Sequence, residues 1–250
     1  TGNGNTNAPF TSGQITVTSS AISGDLAVVQ KMLNNSALNT TVGGTRNDKF
    51  TGLAAVDVII PLRNAANNAD QLLTVAEVEL LAAKTTGTIT ANLNSNQVPN
   101  LGNLTEVHNL SIAISGAQVN ASTINDFSTK TTGGVTTSAT SIVGDAASVL
   151  AVFANTKVTG IDGDEAISLT GAPTVAQVND VAGKTTGAIT ATIVSDVASL
   201  KTLSEAGNYT LSVTDSVISA ADLALAAAKT TGTITIAGTS TISGSYAEVT

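Results

Sequence analysis

Four copies of the tetrapeptide Lys-Thr-Thr-Gly are the first candidates for chemistry, because lysine, hydroxyl and glycine residues together can bind phosphate. A phosphate-binding loop has the order G-x-x-x-x-G-K-[ST] and precedes a helix, so that its backbone N–H groups surround the phosphate. In this chain the lysine stands first, and the motif follows a predicted helix and precedes a predicted strand. The reversed order favours a structural turn over a phosphate site. The four copies begin at Lys84, Lys130, Lys184 and Lys229.

Histidine and cysteine chemistry is restricted by composition, since His108 is the only histidine and the chain has no cysteine. A zinc site needs several such ligands, and an activated nucleophile needs a base that is itself oriented. Serine and threonine are abundant, but no G-x-S-x-G context marks one of them as a nucleophile. We therefore predict that the chain is not an enzyme and that His108 lies at the surface or in a loop.

Two segments hold carboxylates that could bind calcium, an ion that prefers hard oxygen ligands. Asp48 lies in GGTRNDKF (residues 43–50). This stretch resembles the G-G-x-G-x-D repeat of calcium-binding β-rolls, except that Arg46 replaces a glycine and the motif occurs once. The second segment is as readily explained by a solvated acidic loop, and it contains Asp162, Asp164 and Glu165. These four carboxylates are the calcium candidates, and we predict no other cofactor.

The composition excludes several classes of protein. Charged residues make up 11% of the chain, whereas an ordinary globular domain has about 25%. The net charge of −8 disfavours nucleic acid, because phosphate binding needs clustered Lys and Arg. A mean hydropathy of +0.27 argues against disorder. No apolar run approaches the roughly 18 residues of a membrane-spanning helix, so no membrane insertion is expected.

The Lys-Thr-Thr-Gly motif also sets a period, since its four lysines are 46, 54 and 45 residues apart. A fixed period in this range is typical of stacked repeat proteins. A degenerate earlier copy reads TSGQIT. The predicted division begins with a flexible leader or linker at 1–10 and a first repeat at 11–83, which carries an insertion at 34–71. Three further repeats are predicted at 84–129, 130–183 and 184–228, and the second of these carries a loop insertion at 155–165. A truncated repeat is predicted at 229–250. Because the last copy is truncated, we expect a piece of a longer or processed protein.

Each repeat is predicted to contain two coils, each made of a short strand and a short helix. Residues 187–193 alternate small or apolar with polar residues, as in a half-buried strand, and 196–203 carry apolar residues at helical spacing. A second strand is predicted at 209–214 and a second helix at 219–228. The predicted fold is therefore α/β: a right-handed repeat solenoid of short parallel strands and short helices. Its coils are leucine-rich-repeat-like, with two in each repeat of about 45 residues.

The second helix of each repeat is supported by aligning the four units on their lysines. Ten residues before the lysine stands a residue whose side chain can cap a helix N-terminus: Thr74, Asn120, Thr174 or Ser219. Thr74 with Glu77, and Thr174 with Gln177, are predicted capping boxes. A buried stripe is predicted six and three residues before the lysine. It comprises Val78 and Leu81, Ile124 and Phe127, Val178 and Val181, and Leu223 and Ala226.

The Lys-Thr-Thr-Gly corner is predicted to end this helix and to start the next strand. The lysine would lie in the last helical turn and offset the negative end of the dipole, and the glycine would take the turn out of the helix. In the coil after Lys84, Pro99 and Gly102 predict an irregular or 3₁₀ segment. The apolar residue two positions after each glycine is predicted to face inward from a parallel sheet, and these residues are Ile15, Ile89, Val135, Ile189 and Ile234.

The repeats resemble those of a known group of proteins. Residues 184–236 show the pattern best, with A-x-K-T-T-G-x-I-T-A followed by D-x-A-x-L and a strand ending in V-T-D. They look like the KTTGxIT repeats of very large cell-surface proteins of cyanobacteria and some other bacteria. The resemblance implies secretion, calcium-supported surface architecture, adhesion or gliding-type motility, and no catalysis.

The expected function is therefore that of a non-catalytic structural or adhesive repeat module of an extracellular surface protein, able to assemble into a filament or surface layer. The expected partners are neighbouring repeats or identical subunits end to end, and surface glycans. The alternative is a carbohydrate- or receptor-binding module such as a phage fibre segment, with a site formed by 34–71 and 155–165. A polysaccharide-cleaving enzyme would need paired carboxylates beside aromatic platforms, and two Tyr, four Phe and no Trp provide few of these.

Overall fold

The structure, a computed structural model, describes residues 15–34, 50–65, 67–114 and 116–245. Short strands alternate with short helices, and all strand pairs with a defined register run parallel. The predicted α/β class with parallel strands is thereby confirmed. The chain divides into two compact units. Unit 1 holds the residues up to Ile112 together with Lys130–Gly133, and unit 2 holds Ala113–Thr129 and the residues from Gly134 onward.

Unit 1 is built on a parallel sheet. Its elements are β1 (Ile15–Thr16), β2 (Ala21–Ser23), α1 (Leu26–Asn34), β3 (Phe50–Thr51), β4 (Asp57–Ile59), β5 (Leu72–Leu73), α2 (Val75–Ala82), β6 (Ile89–Leu93), a 3₁₀ helix (Ser95–Asn103) and the first residues of β7 (Asn109–Ile114). The strand order is β2-β4-β6-β7, with β5 paired to the end of β6 and β1 paired to β3. The predicted 3₁₀ segment around Pro99 is confirmed. Segment 34–71, predicted as an insertion, contributes β4 between β2 and β6.

Unit 2 contains a six-stranded parallel sheet. Its elements are β8 (Gln118–Asn120), α3 (Ala121–Lys130), β9 (Val135–Thr137), β10 (Ser141–Gly144), α4 (Ala146–Ala154), β11 (Val158–Thr159), β12 (Ala166–Leu169), α5 (Val175–Ala182), β13 (Ile189–Ser195), α6 (Val197–Leu200), β14 (Asn208–Val213), β15 (Val217–Ser219), α7 (Ala220–Ala227), β16 (Ile234–Ile236) and β17 (Thr241–Ser243). The sheet order is β8-β10-β12-β13-β14-β16. Two further pairs are β9 with β11 and β15 with β17. The predicted loop insertion at 155–165 therefore carries a strand, β11.

Apolar side chains lie opposite one another on neighbouring strands and form the core of unit 2. Along β13 buried and exposed residues alternate, and Ile189 and Ile193 are buried. In the sheet register Ile189 lies opposite Ile167 of β12, and Ile193 lies opposite Leu211 of β14. The alternation confirms the predicted inward position of Ile189. The other predicted inward residues whose side chains are described are the buried Ile89 and Val135 and the half-buried Ile234.

The predicted helix caps are present at Thr74, Thr174 and Ser219, whereas Asn120 is the last residue of β8. The Thr74 hydroxyl accepts the Glu77 N–H at 3.2 Å, and the Glu77 carboxylate accepts the Thr74 N–H at 2.8 Å. Thr174 and Gln177 form the same reciprocal pair. The predicted buried stripe is confirmed except at Leu223, which is half-buried. Among the described residues, no helix has the length and apolar character needed to cross a membrane.

Candidate functional site

The corner after α5 shows how the first threonine of the motif is used. Thr185 is buried, and its hydroxyl donates to the Glu165 carbonyl oxygen at 2.7 Å while accepting the Gly187 N–H at 2.9 Å. Glu165 directly precedes β12, so this hydroxyl joins the corner to the preceding strand of the sheet. The other corners repeat the bond, from Thr85 to Val56 at 2.7 Å, from Thr131 to Leu110 at 2.6 Å and from Thr230 to Tyr209 at 2.6 Å.

The second threonine binds a different carbonyl group of the preceding segment. Thr186 donates its N–H to the Gly163 carbonyl oxygen at 2.7 Å and its hydroxyl to the same oxygen at 3.2 Å. Thr86 repeats this on Ala54 at 2.8 and 3.1 Å. The side chain of Thr186 is exposed, whereas that of Thr185 is buried. The first threonine is therefore the stronger structural contact, because a buried polar group depends on its partner more than an exposed one does.

The glycine is needed for close approach of two backbones. A Cβ atom at Gly187 would lie 2.2 Å from the Glu165 carbonyl oxygen, a distance that real Cβ atoms essentially never show. A Cβ atom at each of the other three glycines would also lie too close to a backbone carbonyl oxygen. The distance is 2.1 Å from Gly87 to Val56, 2.1 Å from Gly133 to Leu110 and 2.3 Å from Gly232 to Tyr209. None of the four glycines has a positive φ angle. Glycine is therefore required at the predicted turn by the contact with the preceding segment and not by a left-handed conformation.

The lysine has the predicted helix-end position in one corner only. Lys130 is the last residue of α3. Lys84 and Lys184 lie two residues beyond the helix ends at Ala82 and Ala182, so the predicted position in the last turn was wrong there. In each corner the hydroxyl of the first threonine and the N–H of the glycine are occupied by contacts within the chain. This arrangement supports the structural turn over the phosphate site.

Thr185→Val tests the first threonine, since valine keeps the shape and removes the hydroxyl. The variant leaves the buried Glu165 carbonyl and Gly187 N–H without this partner, so we expect a loss of about 1–3 kcal/mol in the free energy of unfolding. The matched control is Thr186→Val, whose hydroxyl is exposed and should cost less than about 1 kcal/mol. Urea unfolding followed by circular dichroism measures both. Equal losses for the two variants would contradict the assigned role of Thr185.

A second set of contacts, which the sequence analysis missed, starts five residues before the lysine. Glu79 accepts the Thr105 N–H at 3.0 Å and the Thr105 hydroxyl at 2.8 Å. At the same position of a later repeat, Asn179 accepts the Ser204 N–H at 2.8 Å. Glu79 thereby joins α2 to the segment before β7, and Asn179 joins α5 to the segment before β14. The available signal was the alignment on the lysines, which in three of the four repeats places a polar residue between the two buried stripe positions.

His108 is buried, with 2% of its surface exposed, so the prediction of a surface or loop position was wrong. Its Nδ1 atom accepts the Ile89 N–H at 3.4 Å. Its Nε2 atom has no hydrogen-bond partner within the part of the chain that the structure describes. Burial lowers the pKa of His108 below its ordinary value, and this outweighs the opposing effect of the Glu106 and Glu79 carboxylates. The ring is part of the packing between strands.

The acidic segment 162–165 is arranged around Glu165. This carboxylate is 3% exposed, and its two oxygens accept the N–H groups of Asp162 at 2.8 Å and Gly163 at 3.0 Å. Asp162 and Asp164 are exposed. Within the described ranges, no group of three or more histidine, cysteine, aspartate or glutamate side chains is placed to hold a metal ion. Asp48, the remaining calcium candidate, lies outside the described residues.

A shallow groove of about 610 Å³ runs between α3 and α4 in unit 2. Its lining includes Ala151, Ala154, Asn125 and Lys157. The two polar side chains among these are bonded to the chain itself, since Asn125 Nδ2 donates to the Ser148 carbonyl oxygen at 2.9 Å and Lys157 Nζ donates to the Ser128 carbonyl oxygen at 3.0 Å. The described residues that line the groove include no carboxylate and no aromatic side chain, so they offer neither acid–base chemistry nor a platform for a sugar ring.

The repeated residues with a defined role are therefore those of the four Lys-Thr-Thr-Gly corners. Each corner binds a backbone carbonyl group of the same chain. No protein-family model matches the sequence, and no curated protein or solved structure matches it significantly.

Proposed function

We propose that this chain is a non-catalytic structural repeat module, a right-handed solenoid whose strand–helix coils stack along one axis. The observation that carries the proposal is the use of the repeated motif. In every corner the first threonine donates to a backbone carbonyl 20 to 29 residues earlier in the chain. A motif that holds each coil on the one before it favours extension of the chain rather than recognition of a ligand.

The proposed setting is an extracellular surface protein, in which such modules give length and adhesion. The resemblance of residues 184–236 to cell-surface repeats supports this setting. The low charged fraction of 11% and the outward-facing threonines of β13, Thr190 and Thr192, are compatible with a structural surface protein.

The proposed partner is a further coil at the β16 edge, supplied by another repeat or by an identical subunit. Among the described residues, β16 pairs only with β14. Ile234 and Ile236 are half-buried, whereas their partners Leu211 and Val213 are buried. An open strand edge with inward apolar residues pairs readily with another strand. A head-to-tail contact of this kind need not close into a ring, so it can build a filament.

Light scattering after size-exclusion chromatography, over a wide range of concentrations, tests the end-to-end contact. We expect the parent mass to rise above the 24.7 kDa of one chain as concentration increases. Ile236→Glu places a charge on the inward face of the edge strand and should keep the protein at the mass of one chain. The control Thr235→Glu lies on the outward face and should assemble as the parent does. A parent of constant single-chain mass at all concentrations would overturn the contact.

The alternative function, a carbohydrate- or receptor-binding module, uses the groove between α3 and α4 as its candidate surface. Among the described residues that line the groove, Lys157 is the only charged one. A glycan array separates the two functions. Selective binding that is lost in Lys157→Ala would favour the binding module over the structural one.

A further inference from the structure

His108 occupies a place that a later repeat fills with different residues. Residues 105–114 (TEVHNLSIAI) align with 204–213 (SEAGNYTLSV), so His108 corresponds to Gly207 and Leu110 to Tyr209. The structure supports the alignment, because His108 bridges to Thr131 and Gly207 bridges to Thr230, each the first threonine of a corner.

Each of the two repeats has one buried ring at these aligned positions, His108 in the earlier repeat and Tyr209 in the later one. A Cβ atom at Gly207 would lie 2.4 Å from Cζ of the Tyr209 ring, so the tyrosine ring covers the glycine. In the earlier repeat the smaller Leu110 stands at the tyrosine position, and the imidazole of His108 is the buried ring. Tyr209 is 1% exposed and His108 is 2% exposed, so both rings are parts of the core. Only the imidazole gains a charge near neutral pH.

The contacts of the imidazole favour its neutral form. Nδ1 accepts the Ile89 N–H, so in the neutral ring the proton is carried by Nε2. Protonation places a second N–H at Nδ1, facing the Ile89 N–H, and brings a full charge into a buried site. The carboxylates that act on the ring are Glu106, just before it in the chain, and Glu79 of α2. Strand β6 carries no titratable side chain, and the corner at 130–133 carries only Lys130.

We propose that His108 is an acid-sensitive element of unit 1, whose protonation loosens the packing of β6, β7 and the corner at Thr131, while the Gly207 and Tyr209 pair gives the corresponding place in unit 2 no such response. The direction follows from proton linkage. Because the folded state has the lowered pKa, the stabilisation from the neutral ring is fully present above the ordinary histidine pKa of about 6.5. It is lost progressively as the pH falls from there to the lower pKa of the folded state.

Nuclear magnetic resonance on the full chain tests the proposal without any substitution, because His108 is the only histidine and Met32 of α1 is the only methionine. We expect the imidazole signal to titrate below pH 6.5 and to change together with the Met32 methyl signal. The proposal would be overturned if the imidazole titrated near pH 6.5 while the native Met32 signal stayed unchanged.

The matched variant is His108→Gly combined with Leu110→Tyr, which copies the later repeat into unit 1. Between pH 7.5 and pH 5.5 the folding equilibrium constant of the parent should fall more than that of the double variant, by at most about tenfold, the limit set by the ordinary histidine pKa of about 6.5. Urea unfolding with Met32 as the reporter measures both constants. Equal pH dependence in parent and variant would assign the acid response to carboxylates and overturn the role of His108. If the double variant does not fold, His108→Gln, which keeps a polar side chain but does not titrate, takes its place with the same expectation.

Discussion

Gly187→Ala is expected to destabilise unit 2 by more than about 4 kcal/mol, a size seen only when a single change breaks a core contact or the backbone geometry. The added Cβ would lie 2.2 Å from the Glu165 carbonyl oxygen and 2.5 Å from that of Asp164. Both atoms are backbone, so neither can rotate away as a side chain would. The corner must move off the preceding strand, and the Thr185 bond to Glu165 is then lost as well.

A matched control lies four residues earlier. Gly183 directly follows the last residue of α5, with a φ angle of −71° and a right-handed conformation. A Cβ there would lie an ordinary 3.5 Å from the Asp180 carbonyl oxygen. Gly183→Ala should leave the free energy of unfolding unchanged or raise it by up to about 1 kcal/mol. Thermal and urea unfolding measure both variants, and a Gly187→Ala protein as stable as Gly183→Ala would contradict the close approach.

Val178→Asp is expected to have an effect of similar size. Val178 is completely buried in the stripe of α5, and an aspartate there would place an unpaired charge in the core. We expect loss of cooperative unfolding, or a cost above about 4 kcal/mol if the variant still folds. The control is Ala176→Asp on the exposed side of the same helix, which should change stability by less than about 0.5 kcal/mol.

Calorimetry distinguishes the two variants of α5. A Val178→Asp protein that melts as the parent does would show that the stripe does not face the core. The same substitution at Leu223 of α7 should be milder, because Leu223 is half-buried. From the sequence alone both positions are expected to be equally severe.

Local features of the fold were predictable because they depend on residues close together in the chain. The capping boxes at Thr74 and Thr174 need only a hydroxyl and a partner three residues later. The 3₁₀ helix around Pro99 follows from a residue that cannot continue an α-helix. The inward position of Ile189 follows from the alternation along a strand.

Features that depend on what stacks against a residue were not predictable. The sequence shows that the corners contain glycine, but the carbonyl that excludes a Cβ at Gly187 lies 22 residues earlier. His108 looks like a surface residue until the strand pairing places Ile89 against it. Glu165 looks like a free ligand, although the folded loop directs two backbone N–H groups to its carboxylate. In each case the deciding partner is set by the fold and not by the local pattern.

The most direct test of the stacked-coil account is to lengthen the stack by one repeat. A second copy of residues 184–228, inserted after Ala228, begins with the Lys-Thr-Thr-Gly corner and offers β14 a new strand equivalent to β16. Small-angle scattering should show a longer molecule with an unchanged cross-section, and the urea m-value should rise by roughly a fifth because the surface exposed on unfolding grows with the stack. The same insertion carrying alanine at the added copy of Gly187 should not give this rise. An extra repeat that leaves the m-value and the length unchanged, or that unfolds the protein, would contradict the account.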